Sequence, residues 1–149
     1  MTKISKKSNF TCIHLLFVVN YYVEFNKVKT IHSDLFNVFL DKAENTYDII
    51  VSNPPYIPTN DILSLDENVK KEPFIALNGG KDGMDVYRKI FTQAKKVLKN
   101  NGLLLLEIGY DELAKITELI KNDDNYILVE SVKDLGGNDR VVVCRFLQK

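Results

Sequence analysis

Tyr47-Asp48-Ile49-Ile50-Val51-Ser52-Asn53-Pro54-Pro55-Tyr56 is the stretch whose reading decides the fold. Ile49, Ile50 and Val51 are consecutive and β-branched, the pattern of a strand buried on both faces of a parallel sheet. The two prolines end that strand, because neither can donate a backbone N–H to a ladder. Each also drives the residue before it out of the α region, so Asn53 and Pro54 are expected to be extended. A stiff loop at the carboxyl end of a central strand lies where open α/β sheets bind their ligands.

The loop has a definite chemistry. The Asn53 side-chain oxygen and the Pro54 carbonyl are both acceptors, and together they suit the two hydrogens of a planar –NH2 group. Tyr56 offers an aromatic face on which a planar amide or base can stack. An amide nitrogen is a poor nucleophile, so fixing its hydrogens and aiming it at an electrophile is help through positioning. The competing reading is a proline-rich turn that only ends a strand. A WW-domain ligand is excluded, because it requires Pro-Pro-x-Tyr and here tyrosine follows the second proline directly.

Working outward, 149 residues amount to about one domain with room for a sizeable core. The 45% hydrophobic and 27% charged content is that of a soluble globular chain. Twenty basic residues balance twenty acidic ones, so a general electrostatic grip on nucleic acid is not indicated. Cys12 and Cys144 are isolated, with no metal-ligand spacing or disulfide framework, which fits a reducing cytoplasm. No run reaches the ~18 apolar residues needed to span a membrane.

Before the central stretch, Thr11–Val19 is an apolar run behind Lys3, Lys6 and Lys7. No small-residue cleavage site follows it, which argues against a secretory signal. His14 within it is expected to be a core histidine. Val28–Ile31 is a short strand candidate, and Ser33 or Asp34 after it can cap a helix. Beyond the loop, Ile57–Asn78 lacks periodicity and reads as an excursion on the ligand side. Gly79-Gly80-Lys81-Asp82-Gly83 lacks the spacing of a phosphate loop. Val86, Ile90, Ala94, Val97 and Leu98 share a helical face, predicting a helix over 85–99 that stops at Asn101-Gly102. Leu103–Leu106 reads as a second doubly buried strand. Leu113, Ile116 and Ile120 mark a helix capped near Asp111, and strands over 126–132 and 140–146 suggest an antiparallel hairpin. The alternation of strands and helices predicts an α/β sheet.

Asn53-Pro54-Pro55-Tyr56 resembles the motif of class I S-adenosylmethionine-dependent methyltransferases that act on amino or amide nitrogens. With Ile57-Pro58, Glu72-Pro73, Ala76-Leu77, Gly79-Gly80, Asp82-Gly83 and Tyr87-Arg88, it is similar to the peptide chain release factor N5-glutamine methyltransferases. Glu107-Ile108-Gly109, Lys133-Asp134-Leu135 and Asp139-Arg140-Val141-Val142 match that family too. The likeness runs from about Val28 to the C-terminus.

The resemblance implies an incomplete Rossmann-like class I methyltransferase sheet: parallel strands with helices, closed by a C-terminal antiparallel hairpin. Residues 28–149 would be the C-terminal portion of the catalytic domain and residues 1–27 an atypical N-terminal segment. It implies S-adenosylmethionine as cofactor, with Asp34 accepting from its adenine amino group, Leu35 packing on that ring and Asn53 nearby. Asn53, Pro54, Pro55 and Tyr56 would be catalytic and substrate-binding, with Glu72 on the site wall. The partner would be a release factor presenting a glutamine in a Gly-Gly-Gln loop, in the cytoplasm, with no membrane and no direct nucleic-acid binding. The alternatives are an adenine amino (N6) methyltransferase of DNA or RNA, which would flip its base, and a folded fragment without turnover.

The family's glycine-rich Asp-x-Gly-x-Gly turn is missing, and Lys3 would stand where a ribose-binding carboxylate belongs. Glu112 stands where many members carry glutamine. The chain is thus expected to be a truncated or frame-disrupted product, a reading that upstream DNA encoding no glycine-rich motif in any frame would refute. Loss of the first strand would expose Ile49–Val51 as an apolar edge, to be covered by the Ile13–Val23 run or by self-association with a second copy.

Overall fold

The computed structural model describes residues 2–6, 9–13, 28–41 and 46–149. Among the described residues, seven strands form one sheet: β1 (Thr2–Lys6), β2 (Asn9–Ile13), β3 (Val28–Ile31), β4 (Tyr47–Ser52), β5 (Leu98–Glu107), β6 (Tyr126–Lys133) and β7 (Asp139–Phe146). Their spatial order is β3-β2-β1-β4-β5-β7-β6. β2 pairs with β3 and β4 with β5 in parallel, while β6 and β7 form the expected antiparallel hairpin, joined to β5 through β7. The α/β class and the closing hairpin are therefore present.

The place beside β4 is filled differently from the expectation. Thr2–Lys6 lies there, pairing antiparallel with β4 from Thr2↔Ser52 to Ser5↔Ile49. β1 also pairs antiparallel with β2, from Thr2↔Ile13 to Lys6↔Asn9. Lys3 sits in this central strand opposite Val51 and not at the end of a cofactor-side strand. The Ile13–Val23 run and His14 lie outside the described residues, apart from Ile13 at the end of β2.

The core lies on one face of the sheet. Ile50 of β4, Leu104 and Leu106 of β5, and Val142, Cys144 and Phe146 of β7 pack there with helix residues into one cluster. The helices are α2 (Asp85–Ala94), giving Tyr87, Ile90 and Phe91, and α3 (Leu113–Lys121), giving Ile116 and Ile120. Each such aliphatic or aromatic side chain stabilises by about 1.5–3 kcal/mol on burial. Tyr126 joins edge-on to Phe91, ring centroids 4.9 Å apart, and its hydroxyl donates to the Phe91 carbonyl at 2.9 Å.

Double burial of β4 does not hold. Ile49 and Val51 point to the opposite face and are 37% and 40% exposed. Leu103 and Leu105, beside them on β5, are half-buried. Strand periodicity of two sends alternate residues to opposite faces, and among the described residues the helices cover one of them. The helix expected over 85–99, α2, is also shorter than expected. It ends at Ala94 and tightens through i→i−3 bonds, Lys96 N–H to Gln93 O at 3.1 Å and Val97 N–H to Ala94 O at 3.1 Å. β5 has already begun at Leu98, so Asn101-Gly102 is no helix stop. It belongs to a bulge, where pairing jumps from Tyr47↔Leu98 to Ile49↔Leu103 and Asn101 adopts φ 65°.

Candidate functional site

Asn53–Tyr56 leaves β4 at the carboxyl edge with Pro54 buried, Pro55 and Tyr56 half-buried and Asn53 exposed. The excursion beyond it folds as two 3-10 turns, Thr59–Ser64 and Val69–Lys71, and the single-turn helix α1 (Phe74–Leu77). It then returns to strap the loop. Ile57 N–H donates to Leu77 O at 3.0 Å, Gly79 N–H to Ile57 O at 2.8 Å and Thr59 N–H to Gly80 O at 2.9 Å.

The glycines of 79–83 make this contact possible. A Cβ on Gly79 would stand 2.7 Å from the Cα and carbonyl carbon of Tyr56. On Gly83, which has φ +82°, a Cβ would meet Tyr56 O at 2.5 Å and Glu112 Oε1 at 2.8 Å. Only a residue without a side chain lets the turn lie this close to the Tyr56 backbone. Asp82 then fastens the turn to α2. Its Oδ1 accepts from Met84 N–H at 3.1 Å and from Arg88 at 3.1 Å, its Oδ2 pairs with the same guanidinium, and Arg88 also reaches Asp85 at 2.7 Å. The Arg88 bond holds the Asp82 carboxyl down to about 2.

Behind the turn stands Glu112, 3% exposed. Its Oε2 accepts from Gly109 N–H at 2.9 Å and lies 3.4 Å from the Tyr87 hydroxyl, which donates to Glu107 O at 2.7 Å. Burial raises the Glu112 carboxyl above the usual range against the opposing Gly109 bond, and burial likewise pushes the Tyr87 phenol up. The residue that precedes α3 is thus Glu112, with Asp111 exposed, so the cap expected near Asp111 is displaced by one position. On the other side, the Arg140 guanidinium is held by Asp134 Oδ2 at 3.0 and 3.2 Å and by Ile108 O at 3.3 Å, and its charge acts on the Tyr56 phenol. Burial foremost, then the Glu107 charge, raises the Tyr56 phenol, while Arg140 lowers it. From the sequence, Glu112 reads only as a departure from the family pattern. A carboxylate three residues after Gly109 and directly before an apolar helix face was the available signal for Glu112.

At the β3 end of the sheet the expected helix is only the 3-10 turn Asn37–Phe39, whose N-cap is Phe36, so neither Ser33 nor Asp34 caps it. The Ser33 Oγ instead accepts from Val38 N–H at 3.1 Å and donates to Asp34 O at 3.4 Å. Phe36 N–H donates to Gln93 Oε1 at 3.0 Å. The Asp34 side chain is left exposed, and Leu35 is half-buried against the core at φ 47°. An L-residue there costs roughly 1–2 kcal/mol, and such strain gathers at functional sites. β3 and β4 run the same way, because β1 is antiparallel to both β2 and β4 and β2 is parallel to β3. Leu35 and Asn53 therefore leave the same edge, three strand spacings or about 14 Å apart. Glu72 is exposed between the Val69–Lys71 turn and α1, and no hydrogen bond among the described residues ties its carboxylate to the Asn53–Tyr56 loop. Among the described residues no helix is long and apolar enough to cross a membrane.

Residues 3–125 match the family model of the Eco57I restriction-modification methylase. The release factor glutamine methyltransferase of Clostridium acetobutylicum is 43% identical over 119 residues, 79% of this chain and 41% of the relative. That of Thermodesulfovibrio yellowstonii is 43% identical over 111 residues, 74% of this chain and 38% of the relative. A bifunctional methyltransferase of Rickettsia felis is 40% identical over 120 residues, 79% of this chain and 22% of the relative. The chain spans about two fifths of the length of the first of these. Matched over residues 3–125, it belongs to the methyltransferase family of the Eco57I restriction-modification methylases and is a partial-length homologue of the release factor glutamine methyltransferases.

Proposed function

We propose that this chain carries the methyl-acceptor side of a methyltransferase acting on the side-chain amide nitrogen of a glutamine in a peptide chain release factor. The observation that supports it best is the Asn53–Tyr56 loop pinned by Gly79 and Gly83 at the carboxyl edge of β4. A loop strapped along its backbone holds acceptors at fixed positions, which is what an amide nitrogen needs from its site. Asn53 Oδ1 and the Pro54 carbonyl accept the two amide hydrogens, and Pro55 stiffens the loop. Tyr56 packs its ring on the amide plane. The amide needs no base before it reacts, because its proton can leave afterwards.

S-adenosylmethionine, when bound, supplies an electrophilic methyl group. Asp34 would accept from its adenine amino group, Leu35 would pack on that ring and Asn53 would lie beside its reacting end. Glu72 would close the acceptor side, and a release-factor substrate places the reaction in the cytoplasm. The donor side fits less well. The first glycine of the chain is Gly79, so residues 1–78 hold no glycine-rich turn for close backbone approach. Weak donor binding by this chain alone follows.

The name of the matching family favours a second reading, methylation of an adenine amino group, which presents the same planar –NH2. The chain's formal charge of zero speaks against it. Calorimetric titration with S-adenosylmethionine, followed by mass analysis of release factor and of DNA after incubation, distinguishes the readings. Methyl on the release-factor glutamine, abolished in N53A, is the expected product if the donor binds. Methyl on adenine would replace the proposal with the second reading. Donor binding with no transfer to either would leave a folded fragment without turnover.

A further inference from the structure

Glu112 directly precedes α3, yet its side chain makes no capping bond to that helix. It folds back instead, with its carboxyl between two glycines. On one side Oε2 accepts from Gly109 N–H at 2.9 Å, and a Cβ on Gly109 would stand 3.1 Å from that oxygen. On the other side Oε1 faces buried Gly83, where a Cβ would lie 2.8 Å from Oε1 and 2.5 Å from the Tyr56 carbonyl oxygen. The Glu112 carboxyl and the Tyr56 backbone thus stand against the same side of Gly83. Among the described residues both hydrogen bonds of the carboxyl, from Gly109 N–H and from the Tyr87 hydroxyl, go to Oε2, and none reaches Oε1. Joining α3 to the end of β5 uses Oε2 alone, which leaves Oε1 to the acceptor loop.

We propose that Glu112 is a positioning residue for the methyl acceptor: its carboxyl braces Gly83, and through Gly83 the Tyr56 backbone that follows the acceptors Asn53 and Pro54. The proposal rests on the amide-acceptor reading above. Two oxygens meet at Gly83, and both the Tyr56 carbonyl and an ionised carboxylate are acceptors only. In a buried site they repel each other more strongly than in water. A neutral carboxyl presents a hydrogen there instead, so the brace is tightest when Glu112 is protonated, the form that its burial favours. The titratable groups acting on it are Asp111 and Lys115 beside it in the chain, Tyr87 of α2 and Tyr56 of the loop, with Glu107 behind Tyr87. All of them remain in E112Q, so a pH response that vanishes in that variant belongs to Glu112.

The test uses the full chain with 13C at tyrosine carbonyls and 15N at isoleucines. Only Tyr56-Ile57 and Tyr126-Ile127 join the two labels, so one signal reports the brace and the other, on β6, is a reference. The signal lost in Y56F is that of Tyr56. E112D keeps a carboxylate but withdraws it from Gly83 by one methylene, whereas E112Q keeps the length and cannot ionise. From pH 4 to pH 8 the Tyr56 signal should move in the parent and stay still in E112Q, near the parent's low-pH position. In E112D it should be displaced from the outset, with the Tyr126 signal unmoved throughout. A Tyr56 signal that behaves alike in parent and E112Q, or is undisplaced in E112D, overturns the proposal. Affinity for a peptide bearing Gly-Gly-Gln completes the test. E112D should weaken it about tenfold and E112Q less than about twofold, and only the parent's affinity should fall as pH rises. A lowered melting temperature in E112D with unchanged peptide affinity would reduce Glu112 to a structural role and overturn the proposal. Failure of the unaltered chain to bind the peptide would count against the amide-acceptor reading, while the Tyr56 signal would still decide whether Glu112 braces the loop.

Discussion

Two places along the sheet's carboxyl edge, at central β4 and at outer β3, are built to different standards. At the end of β4, the Asn53–Ile57 loop is strapped by backbone bonds, pressed by two glycines and backed by buried Glu112. At the end of β3, the chain relies on Ser33, on Gln93 and on Leu35 in a strained conformation, and Asp34 stays exposed. The difference teaches where this chain has invested its rigidity. The proposed acceptor side is fixed by contacts from Gly79, Gly80, Gly83 and Leu77, while the groups proposed to meet a donor rest on a short turn.

The sharpest way to break that contrast is G83A. The new Cβ would meet the Tyr56 carbonyl oxygen at 2.5 Å and force an L-residue to φ +82°. A non-glycine residue in that conformation costs about 1–3 kcal/mol before any clash. We expect a fall in melting temperature of roughly 4–10 °C, at about 2–4 °C per kcal/mol for a chain of this size, and loss of peptide binding. A melting temperature within about 2 °C of the parent would mean the turn is not pressed on the loop.

Glu112 comes next, and here charge separates from shape. E112A leaves the Gly109 N–H without its acceptor, an expected cost of about 1–3 kcal/mol. E112Q keeps the acceptor and removes the ionisable group. Because burial raises the folded-state carboxyl above its ordinary value of 4.5, the stability it contributes is fully present below that value and is lost as pH rises through the raised one. Chemical denaturation from pH 4 to pH 8 should show E112Q gaining on the parent as pH rises. A constant difference across that range would show that Glu112 ionises as freely in the fold as out of it.

How much of this was legible in the sequence follows from how local each feature is. β4, its proline-ended loop and the closing hairpin were readable because their signals lie within a few consecutive residues. The place of β1 was not. Thr2-Lys3-Ile4-Ser5-Lys6 has a single apolar residue, and its pairing with Ile49–Ser52 is set by non-local contacts that no periodicity records. The bulge at Lys99–Gly102 escaped for a related reason, since Asn-Gly signals a positive φ equally well at a helix end and inside a strand. Within the site, Asn53–Tyr56 was visible as a motif. Its supports at Gly83 and Glu112 come from two separate segments, and no spacing rule joins them.

At the β3 end, S33A and D34A should part company. Removing the Ser33 hydroxyl strands the Val38 N–H, for about 1 kcal/mol of lost stability. D34A alters an exposed side chain and should stay within about 0.5 kcal/mol. Equal losses in denaturant titrations would mean that Asp34 is structural, which would undercut its proposed role toward the donor.

The smallest effect is expected at Asp82, and it checks that salt bridges are not what pins the loop. Asp82 and Arg88 are each close to half exposed, so the pair contributes at most about 1 kcal/mol. The carboxyl is depressed to about 2 from an ordinary 3.8, so its contribution is present above 3.8 and is lost as pH falls through 2. D82N should therefore be slightly less stable than the parent at pH 7, and the gap should close as the solution is acidified toward pH 2. The variant keeps a side-chain oxygen for Met84 N–H, so the turn should still lie on Tyr56 and peptide binding should change less than twofold. A loss as large as that of G83A would place the rigidity of the acceptor side in the Asp82–Arg88 charges, and the packing of Gly79 and Gly83 would then be its consequence.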